Sequence, residues 1–236
     1  MKREVRALLL DVEGTTTPVA FVYEGLFPFA RRHMQEFILR NFARADIRDD
    51  LERLRIECDD DRRQGHNPPE WHDEIDSSVA YMHWLMDQDR KSTALKSLQG
   101  KIWEAGYRAE ELQGDVYADV PRAFARWRDE GRTIAIFSSG SVLAQQLIFA
   151  HSNKGDLSRF IAAYFDTTTG PKKEAESYAR IANELGFLPA EILFCSDIGA
   201  ELDAARRAGF QTALCVREGA APVGNDHRVI HTFDEL

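Results

Sequence analysis

The sequence predicts an α/β fold in which a parallel sheet is covered by helices and is interrupted by an inserted helical block. A short, mostly apolar run at residues 6–10 suits a buried strand. From about residue 22 to 112 the apolar residues have helical spacing, and after Gly114 strand-like and helix-like segments alternate. Such alternation is typical of a parallel sheet with helices on both faces.

The inserted block has the spacing of four helices, each with one apolar face. The two prolines of HNPP at 66–69 cannot continue a helix, so they interrupt the block. The apolar positions are Phe27, Ala30, Met34 and Ile38; Leu51, Leu54 and Cys58; Val79, Met82 and Met86; and Leu95, Leu98 and Ile102.

After Gly114 the predicted elements alternate in a regular order. They are a helix from Pro121 to about Glu130, a strand at 133–137, a helix from Val142 to about His151, a strand at 160–165, a helix from Lys173 to Leu185, a strand at 191–196, a helix ending at Gly209, a strand at 212–216 and a short strand near Val229. Because strands flank the helical block, we expect a core domain of residues 1–21 and 113–236 and a helical domain of residues 22–112.

Composition limits the classes of partner. The 236 residues include 39 acidic and 30 basic ones, which gives a formal net charge of -9. This charge disfavours nucleic acid and anionic membranes, so any phosphate site must be local. The three cysteines are widely spaced without a CxxC pair, which indicates neither a disulfide framework nor a zinc site. Without a signal-peptide core or an apolar stripe, we expect a cytoplasmic monomer.

Segments that can carry chemistry begin where four predicted strands end. They are DVEGTTTP at 11–18, SSGS at 138–141, the lysines of GPKKEAESY at 170–178 and SDIGAE at 196–201. In open parallel sheets, ligands bind outside the carboxyl ends of the strands. The four segments in this order resemble the haloacid dehalogenase superfamily of phosphotransferases. The resemblance implies a Rossmann-like parallel sheet core with an inserted helical cap domain.

Within this resemblance, Asp11 is the expected nucleophile, whose carboxylate attacks phosphorus and forms an aspartyl phosphate. Residues two apart in an extended segment point to the same side, so Glu13 can face the same pocket. Glu13 is the expected general acid and base, and burial beside other carboxylates would favour its protonated form. Taken alone, Glu13 would more often be an exposed loop acid, and its place beside Asp11 and the other three segments favours the catalytic role.

The phosphoryl oxygens are expected to bind after the strand at 133–137. The Ser138 hydroxyl and the N–H groups of Ser139 and Gly140 precede a predicted helix, whose N-terminal dipole favours an anion. Ser139 or Ser141 could also simply cap this helix, and the two roles are compatible.

A lysine and a metal ligand complete the expected site. Either Lys172 or Lys173 should neutralise charge on the phosphate and on the nucleophile, while the other is solvated. Asp197 offers a hard oxygen suited to Mg²⁺, and the carboxylate of Asp11 and the backbone carbonyl of Glu13 are the other expected protein ligands.

The sequence is similar, more narrowly, to the enolase-phosphatase family of methionine salvage. The superfamily usually has Asp two residues after the nucleophile, whereas this chain has Glu13 in LLDVEGTTTP. FSSGS at 137–141, GPKKEAESY at 170–178 and DQDRKSTALKSLQGKIWEAGY at 87–107 also match. The family pattern has its functional lysine third from the glycine, which selects Lys172. In SDIGAEL the chain departs from the pattern, so Glu201 is either an outer-sphere group or a first-turn helix acid.

The family resemblance implies conversion of 2,3-diketo-5-methylthiopentyl 1-phosphate into the acireductone 1,2-dihydroxy-3-keto-5-methylthiopentene and phosphate, by enolisation followed by dephosphorylation. Two alternatives stay open. A generic magnesium-dependent phosphatase acting on another small phosphorylated molecule could use the same fold. A signalling switch also uses a strand-end Asp, a Ser or Thr and a Lys around magnesium, although such a module is shorter and has no inserted cap.

Overall fold

The computed structural model describes residues 3–236 and divides into two compact units. One unit runs to Val22 and continues over Gln113–Leu236, and the other is Tyr23–Leu112. The domain boundary that the sequence suggests after residue 21 therefore lies one residue earlier than the observed division.

The helical unit contains the four helices that the periodicity predicts, preceded by a π-helical turn at Phe21–Leu26. Two of the helices begin at a residue whose side chain caps the first turn. Asp73 accepts a hydrogen bond from Asp76 N at 2.8 Å, and Ser92 accepts one from Leu95 N at 3.0 Å. The helices are α1 (Phe27–Asn41), α2 (Ala45–Arg63), α3 (Glu74–Asp87) and α4 (Thr93–Arg108).

The core unit is built on a parallel sheet, which confirms the predicted fold class. The strands are β1 (Ala7–Leu10), β2 (Thr133–Phe137), β3 (Ala163–Phe165), β4 (Ile192–Ser196), β5 (Gln211–Cys215) and β6 (Arg228–Ile230). Their order in the sheet is β3-β2-β1-β4-β5-β6, and every pair of neighbours is parallel. All residues of β1 are fully buried, as its apolar sequence predicts.

The core helices alternate with these strands. They are α5 (Val120–Asp129), α6 (Val142–Ala150), α7 (Ala175–Leu185) and α8 (Gly199–Arg207), with single 3₁₀ turns at Ser158–Phe160, Pro189–Glu191 and Phe233–Glu235. Within residues 3–236, no helix is both long and apolar enough to cross a membrane.

Three predicted boundaries are wrong by more than one residue. The helix predicted to end at Gly209 ends at Arg207, because Gly209 has a left-handed φ of +93°. The strand predicted at 160–165 is limited to Ala163–Phe165, because Ser158 O accepts a hydrogen bond from Ile161 N at 3.0 Å and closes a 3₁₀ turn. The helix predicted from Lys173 begins at Ala175, because the carbonyls of Pro171 and Lys172 bind side chains from the following helix. Lys172 and Lys173 therefore both lie outside regular secondary structure.

Candidate active site

The loop after β1 is a compact turn that carries the first two predicted site residues. Asp11 N donates to Cys195 O at 3.0 Å, so the nucleophile candidate is held by the sheet. The backbone N–H groups of Thr15, Thr16 and Thr17 all donate to Val12 O, at 3.2, 3.0 and 2.9 Å. Thr16 Oγ1 also donates to Asp11 O at 2.9 Å. The strand ends at Leu10, directly before Asp11, because the backbone then wraps around the Val12 carbonyl.

The carboxylate of Asp11 is buried and oriented by three contacts. Its Oδ1 accepts from Val12 N at 2.8 Å and lies 2.7 Å from Lys172 Nζ. Its Oδ2 accepts from Ser196 Oγ at 3.0 Å. These contacts restrict rotation of the carboxylate, as a nucleophile in a fixed geometry requires.

Glu13 lies close to this carboxylate. Ser138 Oγ donates to Glu13 Oε2 at 3.2 Å, which brings the second predicted segment to the first. Burial raises the pKa of Glu13 above its ordinary value, and the negative charge of Asp11 raises the pKa further. The protonated form of Glu13 is thereby favoured, as general acid catalysis requires.

The segment after β2 forms a turn at the position where the sequence predicts phosphate binding. Ser138 is buried, and its Oγ accepts from Gly140 N at 2.9 Å. Ser141, rather than Ser139, caps α6 by accepting from Ala144 N at 3.3 Å. Gln145, which the sequence did not single out, donates from Nε2 to both Gly140 O and Phe165 O, each at 2.9 Å. Gln145 therefore fixes this turn to the end of β3.

The structure brings Lys172, and not Lys173, to the nucleophile candidate. Lys172 is buried, and its Nζ lies 2.7 Å from Asp11 Oδ1 and 2.7 Å from Glu201 Oε2, whereas Lys173 is exposed. Burial alone lowers the pKa of Lys172, but the charges of Asp11 and Glu201 outweigh it and leave the pKa above its ordinary value. Lys172 therefore stays an ammonium group.

Glu201 and Ser196 belong to the same cluster. Glu201 lies in the first turn of α8, and burial together with the Asp11 charge raises its pKa to about 7. Ser196 Oγ is 3.0 Å from Asp11 Oδ2 and 3.2 Å from Glu201 Oε2, so the hydroxyl can donate a hydrogen bond to either carboxylate. Sequence reasoning missed Ser196, whose only signal is its position directly before Asp197 at a strand end.

Asp197 packs against the backbone of the β1 loop. A Cβ placed on Gly14 would lie 2.3 Å from Asp197 Oδ2, and Gly14 has a φ of +67°. Burial and the nearby charge of Asp11 raise the pKa of Asp197 to about 6. Asp197 and Asp11 are thus two mutually repelling carboxyl groups in one site.

Arg217, two residues beyond the end of β5, is a third group that the sequence did not indicate. Its guanidinium donates from Nε and Nη2 to Thr15 O, at 2.9 and 2.5 Å, and pairs with Asp119 Oδ2 at 2.8 Å. The guanidinium also stacks on Tyr117 and Phe233, 4.4 and 4.5 Å from their ring centroids. Arg217 anchors the β1 loop from the side opposite the strand.

Comparison with known proteins places this site in a family. The family described as haloacid dehalogenase-like hydrolase matches residues 5–209. Over 234 residues the chain is 53% identical to Enolase-phosphatase E1 of Synechococcus elongatus, with 98% of each chain covered. The chain belongs to the enolase-phosphatase family. The resemblance inferred from the strand-end segments is thereby confirmed.

Further relatives agree with this membership. Enolase-phosphatase E1 of Azotobacter vinelandii is 46% identical over 232 residues, covering 98% of this chain and 97% of the relative. Among solved structures, the UTR4 protein of Saccharomyces cerevisiae is 31% identical with a TM-score of 0.80, and the match covers 99% of this chain and 100% of that one. A dehalogenase structure at 18% identity and a TM-score of 0.58 shares the fold alone.

Proposed function

We propose that this protein is an acireductone synthase of methionine salvage. It enolises 2,3-diketo-5-methylthiopentyl 1-phosphate and then removes the phosphate to give 1,2-dihydroxy-3-keto-5-methylthiopentene. Near-full-length identity of 53% to an enolase-phosphatase supports the substrate class. The observation that carries the chemistry is the convergence of Asp11, Glu13 and Lys172 at one edge of the parallel sheet.

The phosphatase half-reaction follows from the contacts of these residues. A carboxylate oxygen of Asp11 attacks phosphorus, and the bond from phosphorus to the substrate oxygen breaks. Glu13, whose raised pKa favours the protonated form, gives its proton to that leaving oxygen. Glu13 then takes a proton from water, whose oxygen attacks the aspartyl phosphate, releases inorganic phosphate and restores the Asp11 carboxylate.

The phosphoryl oxygens are bound by the remaining groups of the site. Ser138 Oγ and the N–H groups of Ser139 and Gly140 lie at the N-terminus of α6, where the helix dipole favours negative charge. Lys172 places a buried ammonium 2.7 Å from the attacking carboxylate. This ammonium offsets the charge that develops during phosphoryl transfer.

The charge balance of the site fits a divalent cation. The carboxylates of Asp11, Glu13, Asp197 and Glu201 interact with one another and with the single ammonium of Lys172. In residues 3–236, no three His, Cys, Asp or Glu side chains form a metal cage, so substrate and water must supply ligands. Mg²⁺ suits such a site. Asp11, Asp197 and the carbonyl of Glu13 would hold the ion, which supplies positive charge to the phosphoryl oxygens.

Gly14→Ala tests this metal-ligand pair. The new methyl group would meet Asp197 Oδ2 at 2.3 Å, so we expect Asp197 to move and turnover to fall about 10²-fold. More Mg²⁺ should also be needed for half-maximal activity, measured by titrating the metal at saturating substrate. Gly131→Ala is the matched control, because Gly131 has a similar φ of +73° and open space around its Cβ position. Identical magnesium dependence in the two variants would contradict the assignment.

A single assay distinguishes the proposed reaction from the two alternatives. The purified protein is given the diketo phosphate with Mg²⁺, and inorganic phosphate and the ultraviolet absorbance of the enediol are followed together. We expect both to rise with the same stoichiometry. Phosphate without the chromophore would leave a generic phosphatase, and a phosphoprotein that persists for minutes would favour a signalling switch.

We further infer that Tyr23–Leu112 is the cap domain of the architecture and that the enzyme acts as a cytoplasmic monomer on a small phosphorylated molecule. The separation of Tyr23–Leu112 from the rest of the chain as its own compact unit supports the domain assignment. Location and oligomeric state stay predictions from composition, to be measured by fractionation and by light scattering.

A further inference from the structure

Lys172 lies in a stretch without regular secondary structure, and two side chains of α7 bind its backbone. Ser177 Oγ donates to Pro171 O at 2.8 Å. Tyr178 OH donates to Lys172 O at 2.6 Å. Two consecutive residues of α7 therefore hold the Pro171 carbonyl, directly before Lys172, and the carbonyl of Lys172 itself.

Tyr178 is itself held rigidly by the sheet. Its side chain is fully buried, and its ring contacts Phe137, Phe194 and Phe210 with centroid distances of 5.6, 5.1 and 5.7 Å. Phe137 ends β2 and Phe194 lies in β4, the two strands that carry the phosphate-binding turn and the metal-ligand segment. The position of the Tyr178 hydroxyl is thus defined by the same strands that define the site.

Ser177 is equally constrained. A Cβ on Gly170 would lie 2.3 Å from Ser177 Oγ, and Gly170 has a φ of +148°. The chain before Lys172 therefore turns closely against Ser177. These contacts explain the spacing of GPKKEAESY. Gly170 lies against Ser177, and Ser177 and Tyr178 bind carbonyls of the segment that presents Lys172.

We propose that Ser177 and Tyr178 are positioning residues that hold the Lys172 ammonium against Asp11. This inference rests on the proposed function of Lys172. A lysine stem has four rotatable bonds, so a fixed backbone is needed if Nζ is to stay between Asp11 Oδ1 and Glu201 Oε2, at 2.7 Å from each. Neither Ser177 nor Tyr178 touches the reacting atoms, and both act through the lysine.

Tyr178→Phe is the decisive variant, because it removes one hydroxyl and keeps the ring in its aromatic cluster. We expect kcat and the affinity for inorganic phosphate to fall about fivefold to tenfold, the ratio that corresponds to one lost hydrogen bond. Ser177→Ala should act in the same direction. Tyr164→Phe is the matched control, since the Tyr164 hydroxyl is buried in the same unit and has no hydrogen-bond partner among the described residues; it should leave both quantities unchanged.

A double-mutant cycle separates positioning from a merely structural role. The dissociation constant of inorganic phosphate is measured in the presence of Mg²⁺ for Tyr178→Phe, Lys172→Met and the double variant. We expect the tyrosine substitution to lose most of its effect once Lys172 is absent. An equal loss in both backgrounds, or wild-type kcat and phosphate affinity in Tyr178→Phe, would overturn the inference.

Misfolding of a variant and failure of the wild-type protein to bind phosphate have different consequences. Should Lys172→Met fail to fold, the comparison of Tyr178→Phe with Tyr164→Phe decides, with urea unfolding of both as the stability reference. Failure of the wild-type protein to bind phosphate or release it from any substrate would instead contradict the proposed function.

Discussion

Asp11→Asn is expected to abolish steady-state release of phosphate while the fold stays intact. The amide has the shape of the carboxylate. Its oxygen can still accept from Val12 N, which lies 2.8 Å from Asp11 Oδ1, and its NH2 group can donate to Ser196 Oγ, which lies 3.0 Å from Asp11 Oδ2. The amide oxygen is a poor nucleophile, so no aspartyl phosphate can form. Loss of a covalent nucleophile lowers turnover on the order of 10⁴-fold or more.

The electrostatic effect of this substitution has a definite direction. The charge of Asp11 contributes to the raised pKa values of Glu13, Asp197 and Glu201, so all three should fall in Asp11→Asn. Lys172 loses one partner but keeps Glu201 at 2.7 Å. Because the repulsion of these three carboxyl groups and the attraction to Lys172 disappear together, the free energy of unfolding should change little.

The measurement compares phosphate release, circular dichroism and urea unfolding of Asp11→Asn with those of Asp203→Asn. Asp203 lies on α8 of the same unit and pairs with Arg206 at 2.7 Å on the surface, so its loss should affect neither activity nor fold. Steady-state turnover in Asp11→Asn within tenfold of wild type would rule out Asp11 as the nucleophile.

The sequence indicated the site because its strand-end segments are local features. The buried run of β1 and the acids that follow it can be recognised without any tertiary information, since strands of a parallel sheet end at a common edge. The choice between Lys172 and Lys173 is different. Neighbouring lysines have the same local signature, so only the family pattern selected Lys172. In the structure, its contacts with Asp11 and Glu201, at 2.7 Å each, distinguish it from the exposed Lys173.

Local sequence patterns do not indicate the long-range contacts of three residues of the site: Glu201, Ser196 and Arg217. A first-turn Glu and a strand-end Ser are typical of ordinary helix and turn stabilisation, so neither indicates a catalytic cluster by itself. Their contacts with Lys172 and Asp11 arise only after β1, β4 and the GPKKEAESY segment have come together. Arg217 reaches a loop 202 positions earlier in the chain, a pairing that no spacing rule predicts.

Lys172→Met is expected to reduce both turnover and stability. Methionine has a similar length but no charge, so Asp11 and Glu201 would remain buried without the ammonium that lies 2.7 Å from each. Turnover should fall on the order of 10³-fold, because positive charge beside the transferring phosphoryl group is lost. Leaving buried carboxylates unpaired costs about 3–5 kcal/mol of the free energy of unfolding when they are ionised.

The stability loss should depend on pH in a predictable way. The pKa of Glu201 is already raised from 4.5 to about 7, and Lys172 lowers it, so removing Lys172 raises it further. A carboxyl whose pKa is higher in the folded than in the unfolded state binds more protons when folded. Its contribution to stability is therefore fully present below pH 4.5 and is lost as the pH rises through about 7 and beyond.

Urea unfolding of metal-free protein at pH 5 and pH 8 measures this effect. We expect Lys172→Met to lose less stability at pH 5 than at pH 8, because Glu201, whose pKa is raised to about 7, is protonated at the lower pH. Lys173→Met is the matched control: its side chain is exposed one residue away, so stability and turnover should match wild type at both pH values. A stability difference from wild type that is equal at pH 5 and pH 8 would mean that Lys172 does not compensate the buried carboxylates.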